Sequence, residues 1–255
     1  MFDKESLQIF LSKVPDLKSP WRVVLTVLYV LVVAYLCGAF FSYVNGLAPY
    51  APLISQFVMA MIVAAIGYVH IKAAGAYREK YGALAYRPYF YHLMIPYLVT
   101  WYACFFHPLF VSGHPLLPWW LAILLGVVFL MLFALPAVQI ERAGFHMVTH
   151  GMDVYTVFPE ETTLVHGEIY GYVRHPLYLS LLCGSIALAF FRNNGLALLV
   201  ALLQLIPALA VGTMEDRELI QRAGDEHREY IKNTPALVPV RRLGEFLRFL
   251  VFPGQ

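Results

Sequence analysis

The sequence predicts an all-α fold: a polytopic membrane helical bundle of about six transmembrane helices, with a C-terminal helical hairpin and a cytosolic cap. Three observations point to it. Hydrophobic side chains make up 60% of the 255 residues and charged ones only 13%, more apolar surface than a water-soluble core of this size can bury. The apolar residues fall in runs long enough for a hydrocarbon core about 30 Å thick, which takes roughly 20 helical residues. The lysines and arginines gather in alternate connections, as cations retained on the cytoplasmic side do.

The first four spans read as Trp21 to Val44, Ala51 to Ile71, Tyr89 to Val111 and Pro118 to Ile140. The first apolar run is about twice the length of a signal-peptide h-region and lacks a small-residue cleavage site, so it is expected to be retained. The fifth and sixth runs, Leu177 to Phe191 and Gly195 to Gly212, are shorter. The tight turn Arg192-Asn193-Asn194-Gly195 joins them as an antiparallel hairpin. Starting the first arm near Tyr172 makes both arms long enough to span. With six spans and both termini inside, every lysine and arginine except Arg192 is cytoplasmic. A five-span arrangement exposes either the basic N-terminus or the basic tail. The expectation is a multi-pass integral membrane protein with cytoplasmic N- and C-termini, its most evident partner being the lipid bilayer.

After the hairpin, "TMEDRELIQRAGDEHREYIK" from Thr213 to Lys232 reads as a solvated polar helix, with Glu218 and Arg222 four residues apart. Pro235 and Pro239 end it. Beyond them "RRLGEFLRFLVF" repeats apolar residues at Leu243, Phe246, Leu247, Leu250 and Val251, the pattern of an interfacial amphipathic helix. The N-terminal "ESLQIFLSK" follows a similar pattern. No internal repeat is apparent. The chain divides into a four-span membrane region, 1–140, and a region, 141–255, holding the hairpin, the cytosolic helix and the amphipathic helix.

A net charge of +2 is too small to argue for a nucleic-acid partner, and topology accounts for the basic residues. Cys37, Cys104 and Cys183 fall within spans without CxxC spacing and read as packing residues. His146 and His150 in "HMVTH" are spaced to share a helical face, where Glu141 or Asp153 could complete a metal site. There is no HExxH and no repeated histidine pair, so no metal is expected. His92 and His107 lie within or at the ends of the third span near Trp101 and Tyr102, and read as headgroup-level residues.

The stretch "GYVRHPLYLS", Gly171 to Ser180, sets an arginine and a histidine where the hairpin begins. Pro176 disfavours helical geometry at His175, so the segment reads as a structured turn entering a helix with Pro176 at its first position. Such a turn can aim Arg174 and His175 into a cavity. The same pair also reads as interfacial cations that snorkel to water.

This part of the chain resembles the C-terminal half of the isoprenylcysteine carboxyl methyltransferase-like family of integral membrane methyltransferases, which is related to the phospholipid N-methyltransferases. The family pattern of a "TLVTSGxY" segment, "RHPxY", a helical hairpin, an acidic pair and "FGxxYxxY" before prolines has counterparts here. They are "TLVHGEIY" at Thr163 to Tyr170, "RHPLY" at Arg174 to Tyr178, Glu215-Asp216, and "AGDEHREY" at Ala223 to Tyr230 followed by "TPALVP". The departures are His166, Gly167 and Glu168 in place of Thr-Ser-Gly, Ala223 in place of an aromatic residue and His227 in place of a tyrosine. Val211 stands where the prenylcysteine enzymes place a substrate-binding arginine, which points away from a prenylcysteine carboxylate as acceptor.

The resemblance implies S-adenosylmethionine bound at the cytoplasmic mouth of the bundle without a dinucleotide-binding fold, and the chain has no GxGxxG after a strand. Carried over residue by residue, the cofactor-binding set is Leu164, Val165, Tyr170, Arg174, His175, Tyr178 and Glu215. Methyl transfer is an in-line displacement from a sulfonium, governed mainly by positioning and exclusion of water. Where the acceptor must lose a proton, His175 and Glu215 are the candidate bases. The implied partner is a lipophilic or small-molecule methyl acceptor: a thiol, an amine or a carboxylate. Two other readings stand beside this one. One is a nicotinamide-dependent membrane reductase of the sterol-reductase type. The other is a non-enzymatic transporter or sensor, although no pair of related halves is visible.

Overall fold

A computed structural model describes residues 4–162 and 165–253. The N-terminal amphipathic helix α1 is Lys4–Lys13. Helix α2, Pro20–Asn45, opens with a proline at its first position and is apolar on every side. Most of its large side chains face outward, Tyr35 and Leu36 among them, which in this setting means toward lipid. Helix α3, Ala51–Tyr81, carries Arg78 and Lys80 in its last turn and stops at Gly82, which has a φ of 56°. The third span is composite: α4, Tyr86–Tyr89, passes through a π-helical turn, Phe90–Met94, into α5, Ile95–Phe106. Pro96 has no N–H to continue the regular ladder, and the wide turn accommodates it. Helix α6, Trp119–Arg142, completes the N-terminal four.

A connection of turns and the short α7, Val154–Val157, leads to α8, Pro176–Arg192. The second hairpin arm is α9, Gly195–Leu202, continued by α10, Leu205–Ala223. Then come α11, Asp225–Asn233, and the amphipathic α12, Leu243–Val251. Among the described residues there is no strand, only an isolated bridge between Pro115 and Asn194.

Five segments are long and apolar enough to cross a membrane: Pro20–Asn45, Ala51–Leu84, Tyr86–Phe110, Trp119–Arg142 and Gly195–Ala223. The protein is an integral membrane protein. The other arm of the hairpin, α8, is a shorter apolar helix of 17 residues, about 25 Å at 1.5 Å per residue, at the short end of what spans a hydrocarbon core, so the bundle is built of five long apolar segments and this shorter one. Helix α8 does not begin near Tyr172. A 3-10 turn at Glu168–Gly171 and the non-helical backbone of His175, with φ −120° and ψ 64°, keep the chain out of the helix until Pro176.

Helix α8 is held against α6 by close approach: a Cβ added at Gly126 would lie 2.5 Å from the Phe191 ring, and one at Gly184 would lie 2.9 Å from Phe133. Small residues at such contacts are the usual means of packing helices where lipid removes the hydrophobic drive. The hairpin turn is pinned at the opposite end of the bundle from α1 and α12. Asn193 is left-handed with φ 54°, and its side chain bonds both the N–H and the carbonyl of Leu117, at 3.1 and 2.9 Å. Asn194 caps α9 by accepting from the Ala197 N–H at 2.6 Å.

The polar stretch expected as one helix from Thr213 to Lys232 is two. It breaks at Gly224, whose φ of 63° and ψ of −131° suit only glycine. The break folds α11 back over the start of α8. Both amphipathic helices close the same end: Phe10 of α1 packs edge-on against Phe90, and the Leu250 carbonyl of α12 accepts from Gln139 Nε2 at 3.1 Å. The three cysteines are free and buried.

Candidate functional site

The two far ends of the hairpin converge. The turn before α8 is docked by its backbone: the Arg174 and His175 N–H groups donate to the carbonyls of Pro235 and Ala236, each at 3.0 Å. This fixes both side chains against α10. The Arg174 guanidinium donates to Asp216 through Nε at 3.1 Å and Nη2 at 3.0 Å. Its Nη1 donates to the carbonyls of Ile231 and Thr234, groups at the C-terminus of α11 that the helix leaves unpaired. Arg174 and Asp216 side chains are only 12% and 10% exposed. Arg174 therefore ties three elements together and has little left to offer a ligand.

His175 sits between the two carboxylates, with Nδ1 3.3 Å from Glu215 Oε2 and Nε2 3.3 Å from Asp216 Oδ1. The second contact is too poorly aligned for a hydrogen bond, and Nε2 stays unpartnered. Burial alone pushes the imidazolium down, but Asp216 and Glu215 outweigh it and raise the His175 pKa to about 9. Space for the ring is made by Gly212, where an added Cβ would lie 3.0 Å from His175 Cδ2. The Tyr178 hydroxyl donates to Glu215 Oε1, and Glu215 remains 32% exposed to the cavity.

An aromatic wall rises from this cluster. Tyr178 stacks on His175 at 5.6 Å and on Trp101 at 5.1 Å; Trp101 meets Tyr97 edge-on at 5.4 Å, and Tyr97 stacks on His70 at 5.2 Å. The wall bounds a cavity of about 290 Å³, close to the lower limit of roughly 300 Å³ common for small-molecule sites. Its polar part holds Glu215, His166, His227, Tyr170 and Tyr230; its apolar part runs along Leu98, Tyr102, Leu177 and Leu181.

Of the residues the sequence singled out, Val165, Tyr170, Arg174, His175, Tyr178 and Glu215 all line this cavity. Leu164 lies outside the described residues. The Tyr170 carbonyl accepts from the Tyr230 hydroxyl at 2.7 Å, and burial pushes both phenols up. His166 stacks near Tyr230 at 4.4 Å. The Nε2 of His166 and both ring nitrogens of His227 are buried without a hydrogen-bond partner. His227 is held below the ordinary histidine value by burial, with Asp216 opposing. Unsatisfied imidazole nitrogens at a cavity wall call for a ligand's polar atoms.

Such a donor set suits a ligand that carries a cationic group, hydroxyls and a flat polar ring. Glu215 can take an ammonium or hydroxyls, and the free nitrogens of His166 and His227 can take ring or carboxylate edges. The tyrosines and Val165 offer flat and apolar faces.

Sequence reasoning missed several members. Asp216 was seen only as the second residue of an acidic pair, and His166 and His227 only as departures from a pattern. Tyr97 was not singled out, and Trp101 was named only as a neighbour of the span-end histidines; the two lie four apart on α5 and face the cavity together, a spacing visible in the sequence. Val211, where an arginine was noted as absent, is buried: an added Cβ on Gly67 would lie 2.7 Å from its Cγ2.

His146 and His150 are not on a helical face. The segment is a series of turns in which His150 Nδ1 accepts from the His146 N–H at 3.1 Å, and burial lowers the His150 pKa to about 4. Among the described residues no three His, Cys, Asp or Glu side chains are grouped to hold a metal. His107, at the C-terminal end of α5, does not face outward. It is buried between Gln56 Oε1 and Asn45 Nδ2, each at 2.9 Å, a satisfied structural network.

The chain matches no protein-family profile, no curated protein and no solved structure.

Proposed function

We propose that the chain is an integral membrane S-adenosylmethionine-dependent methyltransferase acting on a lipophilic or small acceptor. The observation that carries this reading is the meeting of both hairpin ends, His175 and Tyr178 with Glu215, at a cavity with one polar and one apolar end. A cofactor with an ammonium, a ribose and a sulfonium fits the polar end, and an acceptor drawn from the bilayer fits the apolar one. In this reading both termini and the mouth of the cavity face the cytoplasm. All the lysines and arginines but Arg192 belong to segments at that end.

When bound, the cofactor supplies a methyl group on a sulfonium that already carries its leaving group. The protein's part is placement. Glu215 is held in position by the Tyr178 hydroxyl and by His175, which leaves part of its carboxylate for the ligand. Arg174 and Asp216 act one layer back, fixing the turn that aims His175. The aromatic wall keeps water from the transfer line and offers π-faces toward a cation. The orientation supplied in this way is the larger share of the catalysis expected for such a transfer.

Purified protein in detergent should retain or bind S-adenosylmethionine or its demethylated product, read by mass spectrometry and by calorimetry. Glu215→Gln should weaken that binding about tenfold or more, the loss of about one charge-assisted contact. A folded wild-type chain that binds neither nucleoside refutes the reading.

A further inference from the structure

The cavity holds a second imidazole–carboxylate pair that the cofactor end does not use. Asp153 lines the cavity with its side chain 29% exposed, and its Oδ2 lies 2.9 Å from Nε2 of His70, which is 2% exposed. Behind it, the Tyr89 hydroxyl lies 2.8 Å from His70 Nδ1 and 3.0 Å from the His70 carbonyl. Whichever of these Tyr89 serves, an ionised Asp153 takes its hydrogen bond from the Nε2–H. One carboxylate oxygen is thus occupied and the other is free.

Asp153 is left-handed, with φ 51° and ψ 34°, and although it precedes α7 its side chain caps nothing. The strain is not needed to tether the connection. The Tyr86 hydroxyl already donates to the Met152 carbonyl, and Arg78 donates to the Val157 carbonyl at 3.2 Å and to Glu160. A sparsely populated backbone state that aims a half-shielded carboxylate into a cavity is the kind of strain that accompanies function.

Its placement is specific. The aromatic wall runs without a gap from His175 and Glu215 through Tyr178, Trp101 and Tyr97 to His70 and Asp153. One acidic pair stands at each end of one wall. The two arginines of the lining, Arg174 and Arg222, are paired with Asp216 and Glu218 at the α10 end. A carboxylate acceptor would meet Asp153 as a like charge, and it has no proton to lose.

We propose that Asp153, held by His70, takes the proton from the methyl acceptor, and that the acceptor is therefore a nucleophile carrying hydrogen on its attacking atom, a thiol or an amine, rather than a carboxylate. This rests on the methyltransferase reading. The new bond forms between the acceptor's sulfur or nitrogen and the methyl carbon. The carbon–sulfonium bond breaks with its electron pair going to sulfur, leaving a neutral thioether. The acceptor's proton passes to Asp153 and then to water. His70 is a positioning residue.

The test compares wild type with Asp153→Asn on four probes: an alkanethiol, an alkylamine, an aryl thiol already ionised at the assay pH, and an alkane carboxylate. Expected are unchanged calorimetric binding of S-adenosylmethionine and a loss of about 10²- to 10⁴-fold in alkanethiol methylation. Transfer to the ionised aryl thiol should stay near the wild-type rate, and Asp153→Glu should recover part of the alkanethiol activity. With the demethylated cofactor bound, an alkanethiol should show a thiolate ultraviolet band in wild type and not in Asp153→Asn. Equal losses on both thiols, an unaffected alkanethiol rate, or methylation of the carboxylate with neither thiol nor amine overturns the proposal while the methyltransferase reading stands. Wild type that binds no S-adenosylmethionine overturns both.

Discussion

Asp216 and Glu215 are adjacent on α10, yet their removal should have opposite consequences. Asp216→Ala strips the bidentate partner from Arg174 and leaves two cations, Arg174 and His175, in a site where the arginine is 12% exposed. Solvent screens so buried a pair only slightly, and breaking one typically costs about 3–5 kcal/mol because a charge is left uncompensated. At about 2–4 °C per kcal/mol for a chain of this size, the melting temperature in detergent should fall by about 6–20 °C. Glu215→Gln acts on a carboxylate 32% exposed and keeps an acceptor for the Tyr178 hydroxyl, so its cost should stay near 1 kcal/mol or less, as for partly exposed pairs.

Thermal unfolding followed by intrinsic fluorescence separates the two, with nucleoside calorimetry on the same samples. Asp216→Ala should lose stability, and Glu215→Gln should lose ligand. Replacing Arg174 and Asp216 together by Met and Leu should recover much of the stability lost by either single change, as happens when a buried pair is exchanged for apolar side chains. An Asp216→Ala protein as stable as Glu215→Gln refutes the assignment of Arg174 and Asp216 as the clasp of the hairpin.

His175, with its pKa raised to about 9, contributes stability that is complete below the ordinary histidine value and is lost as pH rises through about 9. The span corresponds to about 3 kcal/mol. Wild type should lose melting temperature over that alkaline range and His175→Asn should not; His227, held low by burial, should give a separate loss as pH falls below the ordinary value. Gly212→Ala gains up to about 1 kcal/mol in helix propensity but drives a methyl to 3.0 Å from the His175 ring. Melting should change little, while nucleoside affinity falls by about tenfold to a hundredfold through misplacement, read by calorimetry. Asn194→Ala removes the cap on α9 and the bond from Asn194 Nδ2 to the Val111 carbonyl at 3.0 Å. It should cost about 1–2 kcal/mol and, being at the far end of the bundle, leave nucleoside binding unchanged.

What the sequence revealed and what it hid have a common physical basis. Spans, hairpin and amphipathic ends were legible because each is set by local periodicity and by a proline, asparagine or glycine at a boundary. Pro176 at the start of α8 and Asn193-Asn194 at its end are where the turn chemistry places them. The start of the first hairpin arm was misjudged because helicity at Tyr172 depends on His175, whose backbone is fixed by Pro235 and Ala236 some sixty residues away. Gly224 was overlooked as a break because a single glycine inside a polar helical pattern is usually tolerated. Within the site, the hairpin residues were found because they form a contiguous motif. His70, Tyr97 and Trp101 were not, because they lie on two different spans and are united only by the packing of α3 and α5 against α8 and α10.

That packing crosses the boundary at residue 140, and a split chain tests how far the site depends on it. A fragment of residues 141–255 keeps every residue of the C-terminal motif but loses the wall supplied by Tyr97 and Trp101 and the His70 partner of Asp153. It also uncovers the face of α8 that fits Gly126 of α6. In lipid the uncovered face costs little by itself, since apolar side chains are solvated there as well as in the bundle. The loss should therefore appear as ligand affinity more than as insertion. The fragment should enter membranes and bind S-adenosylmethionine at least about a hundredfold more weakly than the full chain, because orientation and exclusion of water both come from the missing wall. Co-expression with residues 1–140 should restore binding, since helices that insert separately can associate in the bilayer. A lone fragment with full-chain affinity would mean that the aromatic wall does not touch the ligand, and the inference about Asp153 would lose the geometry on which it stands.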